Sequence, residues 1–222
     1  MMKTEFSAEL FWRLPLVGIL RGFRLDQIGP IVEACLEGGL TNLEITMNTD
    51  GADEQIRVAV EAARGRMNIG AGTVTSLERL GLAVDAGASY IVTPAVIGSV
   101  MDRCRGLNLP FLPGAFTPTE VWQAWDAGAT MVKLFPADFG GPAYVKSLKG
   151  PYPEIPVMAT GGVSLESIGE YLAAGAQGFG LGGPLFKRDK VDAGEWGWIA
   201  EQVRAHREIY DAFQAGVGRW VG

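Results

Sequence analysis

The stretch "GATMVKLFPAD", residues 128–138, sets one lysine in an otherwise apolar run. Met131, Val132, Leu134 and Phe135 read as a buried strand, where a lysine costs free energy unless something solvates or uses it. Strand side chains alternate between faces. Val132 and Leu134 make an aliphatic, helix-facing side, so Lys133 is expected on the other face with Met131 and Phe135. The stretch "GLTNLEIT" from Gly39 treats Glu44 the same way. Leu43 and Ile45 take its helix side, and Asn42, Glu44 and Thr46 point inward. A lysine stripped of water becomes less basic, and one with a pKa of about 7–8 is a competent amine nucleophile. Amines attack ketones to give Schiff bases, and the iminium then acts as an electron sink for carbanion chemistry beside the carbonyl. A carboxylate across a small gap can move the protons of carbinolamine dehydration, enamine protonation and C–C cleavage. The competing reading of Lys133 and Glu44 is a buried ion pair that only neutralises itself.

The elements that must position these two residues follow from a repeat. "GLTNLEIT", "GASYIVTP", "GATMVKLF" and "GAQGFGLG" align without gaps from Gly39, Gly87, Gly128 and Gly175. Each follows an amphipathic helical pattern ending in glycine, as helix C-caps do. Four more short strands lie between them: 16–20, 67–72, 110–114 and 156–162. Eight strands alternating with helices imply parallel pairing through right-handed crossovers. Four such double units close naturally into an α/β (β/α)₈ TIM barrel, expected as one domain over 1–222. A doubly wound open sheet is the alternative, but it offers no reason for a fourfold repeat. A helix over 4–12 is expected to cover the barrel bottom, and 195–214 to form the final helix. Glu44 and Lys133 each sit five positions after their repeat glycine, on the second and sixth of the eight strands. In a barrel those strands face each other, and side chains from even strands share layers. The same offset gives Val92 and Gly180, both small enough to leave room between the charges.

Other strand ends supply binding groups. "ATGGV" (159–163) and "GLGGP" (180–184) close the last two strands, where phosphate sits in many such barrels. Backbone N–H groups of Gly161, Gly162, Gly182 and Gly183 could approach a phosphate there. Arg21, just past the first strand, and Thr73, after the third, could bind a carboxylate, Arg21 in bidentate fashion. Arg21 could equally be a solvated loop residue, and Thr73 an N-cap or turn hydroxyl. Pro94 and Pro136 stiffen loop entries whatever the function. Phe135 either walls the pocket or plugs the barrel mouth.

Net charge is −6, with Lys and Arg scattered, which argues against nucleic acid and anionic membranes as partners. No apolar run is long enough to span a bilayer, and the first twenty residues lack a signal-peptide layout, so a cytoplasmic protein is expected. Cys35 and Cys104 read as buried reduced thiols. The single histidine, His206, lies in a polar helical pattern and is expected at the surface. One histidine cannot build a His-rich metal site, so neither a metal nor another cofactor is expected.

Taken in order, "LEITMNT", "GAGTVTS", "IVTPAV", "PGAFTPTE", "VKLFPAD" and "ATGGV" resemble the 2-keto-3-deoxy-6-phosphogluconate and 2-keto-3-deoxy-6-phosphogalactonate aldolase family. The resemblance runs from about residue 14 to 212. It implies a (β/α)₈ barrel, usually a homotrimer, with Lys133 forming a Schiff base to the keto acid and Glu44 as acid/base. The implied reaction is reversible cleavage of a phosphorylated keto-deoxy sugar acid to pyruvate and D-glyceraldehyde 3-phosphate. Phosphogluconate-type members commonly carry Arg where this chain has Asn48. "ILRG", Asn48 and "FGGPAYVKSLKG" (139–150) look closer to the phosphogalactonate branch, with Arg21 taking the carboxylate. Thr160 looks like the other type, and Gly183 stands where many members carry Ser. Two further readings stay open: a phosphosugar isomerase or epimerase, and a non-catalytic phosphosugar-binding barrel.

Overall fold

The computed structural model describes residues 5–217. Its strands are β1 (Leu16–Leu20), β2 (Asn42–Thr46), β3 (Asn68–Gly72), β4 (Ile91–Val92), β5 (Phe111–Leu112), β6 (Gly114–Ala115), β7 (Val132–Leu134), β8 (Val157–Thr160) and β9 (Gly178–Leu181). All pair in parallel, in the order β5-β4-β3-β2-β1-β9-β8-β7-β6. The two ends of that order, β5 and β6, are halves of one strand split at Pro113. Proline has no N–H to give to a ladder. Its carbonyl still accepts from the Lys133 amide at 2.9 Å. The sheet therefore closes through one residue, and the expected eight-stave barrel is found with its fifth stave broken.

The repeat glycines do what their spacing implied. Gly39, Gly87, Gly128 and Gly175 have φ of 91, 100, 91 and 101°, a region open to glycine and strained for other residues. At Gly39 the turn is completed by the Leu40 amide donating to the Cys35 carbonyl at 2.9 Å, which ends the helix Leu25–Gly38 and releases the chain into β2.

Alternation along the strands separates two cores. Leu43, Ile45, Val132, Leu134, Val157 and Ala159 face the helices and join the large outer core. Val17, Tyr90, Val92, Leu112, Met131 and Met158 fill the lower barrel interior, with Phe11 rising into them from the N-terminal helix. That helix spans Ala8–Arg13 rather than 4–12, because the Ser7 hydroxyl caps it by accepting from the Leu10 amide. Residue 4, where the helix was expected to start, lies outside the described residues. Two inward asparagines hold this floor in place. Asn68 donates to the Ser7 carbonyl and accepts from the Ser7 amide, at 2.9 and 2.8 Å. Asn42 donates to the Leu14 carbonyl at 2.9 Å. Phe11 is fully buried at the centre of this closure. Replacing it with Ala removes a whole aromatic side chain from a site that cannot collapse, so Phe11→Ala is expected to cost about 3–5 kcal/mol in urea unfolding. A loss under about 1 kcal/mol would mean the helix does not close the barrel.

The final helix, Trp196–Val217, packs on the helices Leu25–Gly38 and Ile168–Ala173. The surface expectation for His206 is not met: it is buried. Ile199, Val203, His206 and Tyr210 fall at helical spacing on one buried face, which the polar residues around the histidine obscured. Its Nδ1 meets the Gln202 carbonyl at 2.8 Å, and burial lowers its pKa. Cys35 and Cys104 are free and buried, and burial pushes the Cys104 thiol up to about 11. Among the described residues no helix is long and apolar enough to cross a membrane.

Candidate active site

Lys133 and Glu44 both point into the barrel, above the floor of aromatic and methionine side chains. Glu44 is paired in register with Ile19 and Gly70, and Lys133 with Gly114 and Met158. Both are nearly inaccessible, at 1% and 5% exposure. Room for the carboxyl comes from the next inward position on β3, where a Cβ at Gly72 would stand 2.3 Å from Glu44 Oε1. The Lys133 ammonium position lies 5.2 Å from the centre of the Phe135 ring.

No ion pair joins Glu44 and Lys133, and Glu44 Oε2 has no hydrogen-bond partner. A self-neutralising ion pair therefore does not describe the site. The two groups still feel each other. Burial pushes the Lys133 amine below the ordinary lysine range, the Glu44 charge pulls it back, and the Arg21 charge lowers it again. Burial raises the Glu44 carboxyl, against the opposing pull of Lys133 and Arg21. Desolvation pushes each group toward its neutral form, and the charge of the other opposes that push, so the two are electrostatically coupled.

The rim brings further residues together. Arg21 Nη2 donates to Thr73 Oγ1 at 3.3 Å, so the two groups read as carboxylate ligands are neighbours. Thr73 is held at φ 54°, rare for a β-branched residue. It is not an N-cap, since Ser76 caps the following helix. Thr160 is buried, with Oγ1 unpartnered and seated where a Cβ on Gly180 would come within 2.4 Å. Phe135 is 38% exposed, just past the end of β7. Pro94 is half-buried and its carbonyl carbon lies 2.3 Å from where a Gly114 Cβ would stand, so the two strand ends converge only because residue 114 lacks a side chain. Asn48 is exposed in the turn after β2. Gly161 and Gly162 have φ of 91 and 71°. Among the described residues, the N–H groups of Gly161, Gly162, Gly182 and Gly183 donate to no protein acceptor. Four open donors at the ends of β8 and β9 can receive an anion.

Two contributions escaped the sequence reading. Thr49 Oγ1 accepts from the Gly22 amide at 3.0 Å and lies 3.2 Å from Thr46 Oγ1, which ties the Arg21 loop to β2. Tyr90 stands three positions after its repeat glycine, the offset of inward Asn42 and Met131, so its direction was available from the alignment.

A family model for KDPG and KHG aldolase matches residues 8–202. The chain belongs to that family. The 2-dehydro-3-deoxy-6-phosphogalactonate aldolase of Escherichia coli (strain K12) is 36% identical over 197 residues, covering 88% of this chain and 96% of that protein. The 2-dehydro-3-deoxy-phosphogluconate aldolase of Pseudomonas aeruginosa is 37% identical over 202 residues, covering 90% of this chain and 88% of that protein. A solved structure described as native KDPGal superposes with a TM-score of 0.85 at 32% identity, covering 95% of this chain and 99% of that one. As a KDPG/KHG aldolase the protein is a lyase on an (β/α)₈ barrel.

Proposed function

We propose that this aldolase cleaves 2-dehydro-3-deoxy-6-phosphogalactonate reversibly to pyruvate and D-glyceraldehyde 3-phosphate through a Schiff base on Lys133. The observation that carries the reading is the buried pair without a direct bond: an amine with lowered pKa and an unpartnered carboxyl sharing one chamber. The neutral amine adds to the C2 ketone, and Glu44 supplies the proton that lets the carbinolamine lose water. Glu44 then takes the proton of the C4 hydroxyl. The C3–C4 bond breaks, its electrons pass into the iminium, and the aldehyde leaves. The resulting enamine takes a proton at C3 from Glu44, and water releases pyruvate. In this reading Arg21 and Thr73 hold the substrate carboxylate, and the four glycine amides hold the phosphate.

The choice of epimer rests on Arg21, on Asn48 and on the loop 139–150, which resemble the phosphogalactonate branch. Similarity to named relatives supports both branches almost equally. Epimers at C4 differ by one polar contact, which can be worth a large or a small ratio. A cleavage assay with the two phosphorylated acids side by side, reading pyruvate release, is expected to favour the galactonate epimer at least about tenfold in kcat/KM. The reverse preference would move the assignment to the gluconate acid and leave the chemistry intact. We also infer a cytoplasmic homotrimer. The homotrimer rests on the resemblance to the family.

A further inference from the structure

Three polar atoms of the barrel interior have no hydrogen-bond partner, Glu44 Oε2, the Tyr90 hydroxyl and Thr160 Oγ1, and the Lys133 amine is buried in the same interior. The chemistry above uses Lys133 and Glu44, and Thr160 lies at the pocket wall. Tyr90 is left over. It is fully buried, its ring packs among Phe11, Val17, Val92 and Met158, and its hydroxyl sits in that apolar floor without a bond. Placing a phenol there is unfavourable compared with phenylalanine, which would fill the same space.

The position of the ring says what the hydroxyl can reach. A Cβ on Gly70 would fall 2.4 Å from Tyr90 Cζ, the atom that carries the oxygen. Gly70 is the register partner of Glu44. The next inward position on the same strand is Gly72, whose Cβ would fall 2.3 Å from Glu44 Oε1. Phenol and carboxyl thus lie over consecutive inward glycines of β3, the phenol one layer below. Inward residues two apart on a strand are separated by about 6.5–7 Å; the hydroxyl extends beyond Cζ, and one water making two hydrogen bonds spans about 5.5 Å between oxygens. Buried polar atoms lacking a protein partner are ordinarily satisfied by ordered water.

We propose that Tyr90 is a positioning residue for the acid/base carboxylate: its hydroxyl donates through one bridging water to Glu44 and holds the ionised carboxyl in place from beneath. This rests on the role given to Glu44 above. The charges facing that carboxyl are Lys133 from β7 and Arg21 from the end of β1, while Glu44 is the charged group that acts on Tyr90. Both cations lower the Glu44 pKa, and the phenol adds a third influence in the same direction. Removing it raises that pKa.

The test is Tyr90→Phe, which deletes one oxygen and keeps the ring. The acidic limb of kcat against pH is expected to move up by about one unit, with KM within about twofold. A double-mutant cycle with Glu44→Gln is expected to be non-additive, the Tyr90 substitution having little effect once residue 44 cannot ionise. If the hydroxyl had no role, Tyr90→Phe would leave the pH profile superimposable on that of the unchanged protein and the cycle additive; either result overturns the proposal. Melting temperature separates a folding defect from a positioning effect, and Tyr90→Trp, too large for the site, serves as the misfolding control. Borohydride trapping of pyruvate on Lys133 is run in parallel. Trapping with an unmoved profile rejects only the role of Tyr90, whereas no trapping in the unchanged protein rejects the Schiff base itself.

Discussion

Lys133→Met is expected to lower kcat/KM for cleavage by about four orders of magnitude or more, and to abolish borohydride-dependent attachment of pyruvate. Methionine keeps the length and apolar stem of lysine but cannot form the covalent bond that creates the electron sink. No second amine stands ready, because Lys133 is the lysine of the barrel interior among the described residues. Turnover within about tenfold of the unchanged enzyme would favour an isomerase or epimerase that needs no Schiff base. Stability should move the other way. The Lys133 pKa is lowered on folding, so its protonation opposes folding. The penalty is fully felt below the folded value and vanishes above the unfolded value of 10.5. The methionine variant is therefore expected to need more urea to unfold at neutral pH, with the gap closing as pH rises toward 10.5. A gap that widened with pH would mean the amine is not desolvated.

Much of this arrangement was legible in the order of residues because the barrel repeats itself. The glycine caps set the start of each even strand, and alternation then decided which side chains look inward. That was enough to place Glu44, Lys133, Val92 and Gly180, and it would have placed Tyr90. Four things were not legible. The break at Pro113 depends on pairing with two different neighbours, which a single strand does not reveal. The start of the N-terminal helix at Ser7 is held by Asn68 and its far end at Leu14 by Asn42, both contributed by strands far along the chain. The burial of His206 depends on which face of a long helix meets Leu25–Gly38, and charged neighbours on either side hid that face. The contact between Arg21 and Thr73 is tertiary in the same way. Residue types suggested each as an anion ligand, but only closure of the barrel sets them side by side.

Glu44→Gln separates the two halves of the chemistry. An amide of the same shape still fills the space that Gly72 leaves open, but it carries no transferable proton. Cleavage is expected to fall by about 10²–10⁴-fold, the range for losing a positioned acid/base group. Schiff-base formation should respond differently. Among the influences on the Lys133 amine, the Glu44 charge is the one that raises its pKa, against burial and Arg21, which lower it. Neutralising residue 44 therefore lowers the amine pKa further, and a larger fraction of the amine is unprotonated at any pH below the original value. The pH at which pyruvate trapping reaches half its maximum is expected to move down, even as cleavage collapses. A purely structural role for Glu44 would lower both rates together and leave the trapping profile where it was. Cleavage retained within about threefold would remove Glu44 from the proton transfers. The opposite movement of the two readouts is the signature of a carboxylate that both tunes the nucleophile and carries its protons.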